Sequence, residues 1–103
     1  MGINWSNTAL IDLDTIYNFI ARHSKKYAAK EVEKILESTG QIIDFPLSGI
    51  EIKFKEKQAR KYRFIVLSNY KIVYSIRDKD VLIETVFDTR QNPSKLCKKL
   101  KRG

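Results

Sequence analysis

Apolar residues recur at helical spacing in the first half of the chain and at strand spacing in the second. Ile3 and Trp5 have the period-two placement of a small edge strand over Gly2 to Trp5. Ser6 is a credible N-cap, since its hydroxyl can accept from the free amides of a first turn. Ala9, Leu10, Leu13, Ile16, Tyr17 and Ile20 then fall at helical spacing and predict a helix over about 7–22. Asp12 and Asp14 are expected on its outer face, near the positive helix start. His23 and Ser24 break the pattern. Ser24 caps a second helix with the stripe Ala28, Val32, Ile35, Leu36 and Ile43, while Lys30, Glu31, Glu33, Lys34 and Glu37 take the wet side. Gly40 weakens its last turns. Asp44-Phe45-Pro46 ends it, because proline disfavours helix in the residue before it. Two amphipathic helices with so short a break make an antiparallel hairpin, and their stripes need a sheet to lie on.

That sheet is predicted from the second half. Pro46 to Gly49 is turn chemistry, and Ile50, Ile52 and Phe54 alternate with Glu51, Lys53 and Lys55 as a half-buried strand. After a polar loop, Tyr62–Leu67, Tyr70–Ile76 and Val81–Phe87 read as three antiparallel strands. Ser68-Asn69 joins the first two, with Asn69 tolerating a left-handed backbone, and Arg77 to Asp80 is a charged turn. Both faces of these strands are fairly apolar, as expected of a sheet covered by helices. Asn92 as cap and Pro93 in the first helical position open a last short helix, with Leu96, Cys97 and Leu100 available to face inward. The prediction is an α+β fold: an N-terminal antiparallel helical hairpin on a twisted, mainly antiparallel sheet of about four strands, then a short basic C-terminal helix. It fills one domain, residues 1–103.

Composition fits a globular domain of this size, at 43% hydrophobic and 31% charged residues. A single cysteine, Cys97, excludes an internal disulfide and a cysteine metal cluster. No apolar run approaches a membrane span, and the N-terminus lacks a signal-peptide layout, so a cytoplasmic location is expected. Charge changes the picture more. Residues 1–50 carry net −1 and residues 51–103 net +9. A half-chain this basic points to a polyanionic or acidic partner, against the plainer reading of a solvated surface that keeps a small domain soluble.

Candidate chemistry is sparse. No phosphate loop, metal-ligand spacing or paired catalytic carboxylates stand out, and neither metal nor cofactor is expected. His23, the sole histidine, reads as a helix terminator, and Cys97 as packing despite its lysine neighbours. Lys53, Lys55, Lys57, Arg60, Lys61 and Arg63 fall within eleven positions, opposed only by Glu56. Arg90 follows the last strand, and Lys98 and Lys99 lie in a tail without anions. These residues form the candidate target-binding surface, with Arg63 and Arg90 expected as surface cations near the sheet edge. Arginines there can grip phosphate bidentately if strand order brings them together. Metal-free RNA cleavage also needs an acid and a base, for which Tyr62 or a lysine such as Lys55 are weak candidates. Each arginine alone reads equally well as a solvated charge or a salt-bridge partner of Asp88 or Glu84.

The pattern Ala9-x-x-Asp12-Leu13-x-x-Ile16-x-x-Phe19-Ile20, then Phe45-Pro46-x-x-Gly49, Arg63 before Tyr70-Lys-Ile-Val-Tyr74, and Val86-x-Asp88-x-Arg90-Gln91-Asn92-Pro93 resembles the RelE/ParE superfamily of bacterial toxins over nearly the whole chain. The resemblance implies a cytoplasmic toxin of a type II pair, neutralised by a cognate antitoxin that wraps it and through which alone it meets operator DNA. RelE-like members cleave mRNA on the ribosome using basic strand residues and a C-terminal acid/base; ParE-like members inhibit DNA gyrase. If the chain is a nuclease, its candidate catalytic residues are Lys55, Arg60, Tyr62, Arg63 and Arg90, of which Arg63 and Arg90 match basic positions of the resemblance. Residues 91–103 contain no Tyr, His, Asp or Glu, and with the first helix this favours the ParE-like branch, while the lysines at 53–61 would suit ribosomal RNA. A non-toxic basic binding module of the same fold is the third alternative.

Overall fold

The computed structural model describes residues 1–54 and 60–102, with the side chains of Lys101 and Arg102 outside that set. The elements are β1 (Ile3–Trp5), α1 (Asn7–Ala21), α2 (Lys25–Asp44), β2 (Ile50–Glu51), β3 (Arg63–Leu67), β4 (Tyr70–Arg77), β5 (Asp80–Asp88) and α3 (Pro93–Arg102). The sheet has five strands in the order β1-β5-β4-β3-β2. Three of its pairings are antiparallel, while β1 joins β5 in parallel, Ile3 beside Val81.

Local chemistry explains the boundaries. Ser6 Oγ accepts from the Ala9 amide at 3.0 Å and Ser24 Oγ from the Tyr27 amide at 3.1 Å, so both predicted caps form. Asn92 Oδ1 accepts from the Ser94 amide at 3.0 Å, opening α3 with Pro93 in its first turn. The β3–β4 turn differs from expectation: Ser68, not Asn69, takes the positive φ of 53°. The β2 strand is also shorter than predicted, since pairing with β3 ends at Glu51. Ile50 is exposed there, while Ile52 and Phe54 pack around the second core.

The helices cover one sheet face. Ala9, Ile35 and Ile42 pack with Tyr70, Ile72, Tyr74, Val81, Ile83 and Val86. On the other face α3 lays Leu96 and Leu100 on Tyr62, Val73 and Phe87. A bulge makes this division possible. Register slips between Val73 and Tyr74, whose partners are Thr85 and Ile83, leaving Glu84 unpaired. That extra residue reverses the alternation of β5, so Val81, Ile83 and Val86 all face the helical layer while Phe87 turns to α3.

The helix stripes are rotated from the predicted ones. Leu10 and Leu36 are exposed, and Glu31 is buried on the α2 face with Ala28 and Ile35, its carboxylate 3.6 Å from Lys34 Nζ. Asp12 likewise turns inward. Spacings of three, four and seven from Ala9 carry Asp12, Leu13 and Ile16 onto one face, and Asp12 takes its place in that row.

Asp12 serves the outer edge of β5. β1 stops at Trp5, so β5 beyond Ile83 has no strand on its outer side. Ser6 Oγ donates to the Glu84 carbonyl at 2.7 Å, and Asp12 Oδ2 accepts from the Val86 amide at 3.0 Å and from the Thr85 hydroxyl. Lys99 of α3 reaches Asp12 Oδ1 at 3.0 Å. One carboxylate therefore ties α1, β5 and α3.

Two glycines behave oppositely. A Cβ at Gly49 would sit 2.8 Å and 2.9 Å from ring carbons of Tyr74, whereas at Gly40 it would meet nothing within 4 Å. Gly49→Ala is expected to destabilise by about 1–3 kcal/mol through overpacking, and Gly40→Ala, inside α2, to stabilise by about 0.5–1 kcal/mol. Asp12→Ala should lower stability by about 2–3 kcal/mol, because it strands the Val86 amide and the buried Thr85 hydroxyl. Lys99→Ala removes only the half-exposed partner and should lower it by less than about 1 kcal/mol. Urea unfolding of the four variants measures each value; equal losses for Asp12 and Lys99 variants would contradict the edge-capping role.

Candidate functional site

Tyr74, at the centre of β4, starts the site. Its hydroxyl donates to the Pro46 carbonyl at 2.7 Å and accepts from the Gly49 amide at 3.0 Å, so the buried phenol holds the loop after α2. Arg63, the first residue of β3 and opposite Tyr74, completes the hold. Its Nη1 donates to the carbonyls of Gly49 at 2.9 Å and Leu47 at 3.3 Å, and Nη2 lies 4.0 Å from Glu51. The Phe45-Pro46-x-x-Gly49 segment is thus an anchored loop whose glycine admits the phenol.

Against this loop lies a cleft of about 420 Å³ lined by Leu47, Arg60, Lys61, Arg63, Ser75 and Ile76. It brings together three of the cations singled out in the sequence. Arg60 and Lys61 are exposed, while Arg63, with 24% of its side chain accessible, is committed to the loop carbonyls. Beside the cleft, Ser75 donates to Glu84 at 2.6 Å and Arg77 lies 3.3 Å from the same oxygen. This network of Ser75, Arg77 and Glu84 was not singled out from the sequence; it forms because the bulge isolates Glu84. Sequence spacing alone does not reveal a bulge.

The remaining predicted residues are dispersed. Lys53 pairs with Glu51 at 2.7 Å and holds that carboxyl below its usual range. Lys55 and Lys57 lie outside the described residues. Tyr62, a weak candidate acid or base, is buried in the α3 core with its hydroxyl 3.5 Å from the Leu100 carbonyl. Cys97, expected in the packing, is exposed because Leu96 and Leu100 take the inner face of α3. Lys98 is exposed and Lys99 is held by Asp12. His23 is an exposed turn residue between α1 and α2. Among the described residues no three His, Cys, Asp or Glu side chains group to hold a metal, and no helix is long and apolar enough to cross a membrane.

Arg63 and Arg90 do not meet. Arg63 is opposite Tyr74, whereas Asp88, just before Arg90, is opposite Tyr70. Four residues of strand, about 13 Å, separate the two ends. Arg90 is instead clasped by Asp88: Nε donates to Oδ1 at 3.0 Å and Nη2 to Oδ2 at 2.7 Å, and the Arg90 amide adds a bond at 2.9 Å. This fork holds the Asp88 carboxyl below the usual carboxylate range and raises Arg90 further. Burial, and then the Asp88 charge, push the Tyr70 phenol up.

A depressed folded pKa stabilises above the unfolded value and loses that contribution as pH falls through the folded one. Wild type should therefore melt above Asp88→Asn at pH 7, and the gap should close below about pH 4. Thermal melts across pH 2–7 test this; a gap that persists at the acid end would contradict the pairing.

Residues 3–93 match the family model of the ParE toxin of the type II toxin–antitoxin system parDE. A solved chain of the chromosomal ParDE toxin–antitoxin system from P. aeruginosa superposes with a TM-score of 0.70 at 20% identity, over 85% of this chain and 95% of that one. At that identity the likeness is one of fold. No curated protein sequence matches. The chain belongs to the ParE toxin family and is the toxin half of a type II toxin–antitoxin pair, with a cognate antitoxin as its partner.

Proposed function

We propose that this toxin arrests growth by inhibiting DNA gyrase, acting in the cytoplasm as one binding domain without covalent chemistry of its own. The observation that carries the reading is the state of the described cations and of Tyr62. Arg63 is spent on loop carbonyls, Arg90 on Asp88, and Lys99 on Asp12. Tyr62, the nearest candidate acid or base, is buried. Residues 91–103 hold no Tyr, His, Asp or Glu. Phosphodiester cleavage by a 2′-hydroxyl needs a proton acceptor, a proton donor and free cations converging on one phosphate. The described residues offer one exposed neighbouring pair, Arg60 and Lys61, which suits recognition of an acidic surface. Membership of the ParE family supports the same choice.

In this reading the Leu47–Arg60–Lys61 cleft is the target contact. Among the described residues no carboxylate pairs with Arg60 or Lys61, and Leu47 and Ile76 supply exposed apolar surface beside them. The antitoxin would neutralise the toxin by covering surface that the target needs.

Plasmid supercoiling by purified gyrase, titrated with the purified toxin, should show loss of supercoiling or accumulation of cleaved plasmid. Arg60→Ala with Lys61→Ala should raise the half-inhibitory concentration about tenfold, a loss of about 1.4 kcal/mol in binding, without lowering the melting temperature. Arg63→Ala should lose both inhibition and stability, because it also frees the 47–49 loop. Primer extension on programmed ribosomes should show no cuts. Discrete cuts in the decoding site, with supercoiling untouched, would overturn the proposal in favour of ribosome-dependent mRNA cleavage.

A further inference from the structure

Two basic stretches far apart in the chain meet on the α3 side of the sheet. One is Arg60 and Lys61, on the lip of the cleft beside Leu47. The other is α3. The Tyr62 hydroxyl donates to the Leu100 carbonyl at 3.5 Å, so the later part of α3 lies against the residue that follows Lys61. A smaller cleft, of about 180 Å³, brings Lys99 and Leu100 of α3 together with Arg77 and Glu84 of the sheet. The hydrogen bond from Ser75 to Glu84, 2.6 Å long, runs from the first cleft to the second. Arg60, Lys61, Arg77 and α3 thus belong to one continuous face.

The charge of that face points outward. Glu84 keeps 10% of its side chain accessible and Asp12 12%, whereas their partners Arg77 and Lys99 keep 38% and 35%. Both carboxylates therefore lie beneath the cations they neutralise. Lys95 and Lys98 are exposed, and among the described residues no carboxylate pairs with either. Three apart on a helix, they share the side of α3 that Leu96 and Leu100 leave to water. Residues 89–103 contain no Asp or Glu. Apolar anchors are missing as well. Of the large apolar side chains described between Arg77 and Leu100, none is exposed. The exposed aromatic rings, Phe19, Tyr27 and Phe45, belong to the helical hairpin and the loop after it.

From this we infer that α3 and Arg77 hold the phosphate backbone of duplex DNA, while the adjoining Leu47 cleft meets the protein that carries the duplex. The DNA contact rests on this face; that the duplex is the one held by gyrase rests on the gyrase reading. A protein partner gains most of its affinity from large side chains buried at the centre of the contact, and the outer side of α3 offers none. Backbone binding needs only cations spaced along a surface, and it carries no sequence information. Single strands are gripped by stacking on exposed rings, which this face lacks, so it suits a duplex. Leu47 and Ile76, exposed beside Arg60 and Lys61, mark where the contact passes from nucleic acid to protein.

Anisotropy of a fluorescein-labelled mixed-sequence DNA duplex, titrated with the full-length toxin, tests this. The dissociation constant should fall at about 10⁻⁴–10⁻⁶ M at physiological salt, and log K should decline linearly with log salt concentration. Lys95→Ala with Lys98→Ala should weaken binding at least tenfold and make the salt slope shallower by about 2, close to one per lost phosphate contact. Lys25→Ala with Lys26→Ala removes the same charge from the start of α2 and should change binding less than twofold. In the supercoiling assay the α3 double variant should need at least fivefold more toxin for half-inhibition. All four lysines are exposed, and circular dichroism checks that both variants fold. No duplex binding by wild type would overturn the inference, as would equal losses from the two double variants, which would reduce the effect to net charge. So would tighter binding of an RNA duplex of the same sequence or of an oligothymidylate, or undiminished gyrase inhibition by the α3 variant. Duplex binding is read without gyrase. Duplex binding as expected with supercoiling untouched by wild type would sink the gyrase reading and leave the DNA face; inhibition of gyrase without duplex binding would do the reverse.

Discussion

The structure turns on how a sheet edge is finished. β5 carries hydrogen-bonding groups along its outer side, and a three-residue β1 covers only Val81 to Ile83. An amide left dry without an acceptor is strongly unfavourable. The chain solves this with side chains from the next helix: Ser6 takes up the Glu84 carbonyl and Asp12 takes the Val86 amide. This fixes the rotation of α1 on the sheet, which in turn sets where α2 packs. The other Asp12 oxygen holds Lys99, so α3 is set from the same point across the sheet edge. Three layers thus answer to one carboxylate.

A similar economy governs the loop after α2. Tyr74 and Arg63 lie opposite one another on neighbouring strands and bind the same four-residue turn from two sides. The loop cannot shift without breaking either a phenol or a guanidinium contact. Rigid placement of Leu47 beside Arg60 and Lys61 follows from that. Arg90 shows the same habit at the other end of the sheet, where its own strand supplies the carboxylate. Arg63, Arg77, Arg90 and Lys99 are each held by a partner within the fold, whereas among the described residues no carboxylate pairs with the exposed Arg22, Lys25 and Lys26.

The elements were legible because their signals are local. Ser6, Ser24 and Asn92 cap by contacts within three residues, and alternation from Arg63 to Phe87 marks the strands. What was not legible depends on contacts distant in sequence. Asp12 reads as a wet acid beside a helix start, and only its partner amide 74 residues later draws it inward. Its place in the Ala9–Leu13–Ile16 row was the available hint, as Glu31 between Ala28 and Ile35 was for α2. Tyr62 has the residue type of an acid/base, but α3 packs over it. Cys97 shares a short helix with two leucines that fill the inner face first. The separation of Arg63 from Arg90 required the register, which composition does not encode. Phe19 and Tyr27 lie off both predicted stripes, and both are exposed in the structure.

The parallel pairing of β1 with β5 has a consequence for synthesis. Ile3 is made before its partner Val81, which follows 78 residues later. Until then α1 and α2 have no sheet on which to bury Ile35 and Ile42, and the edge that Asp12 finishes does not exist. Long-range pairing of this kind delays folding until β5 has been made. The apolar faces of the hairpin therefore stay open, to chaperones or to an antitoxin already present, until β5 has been made.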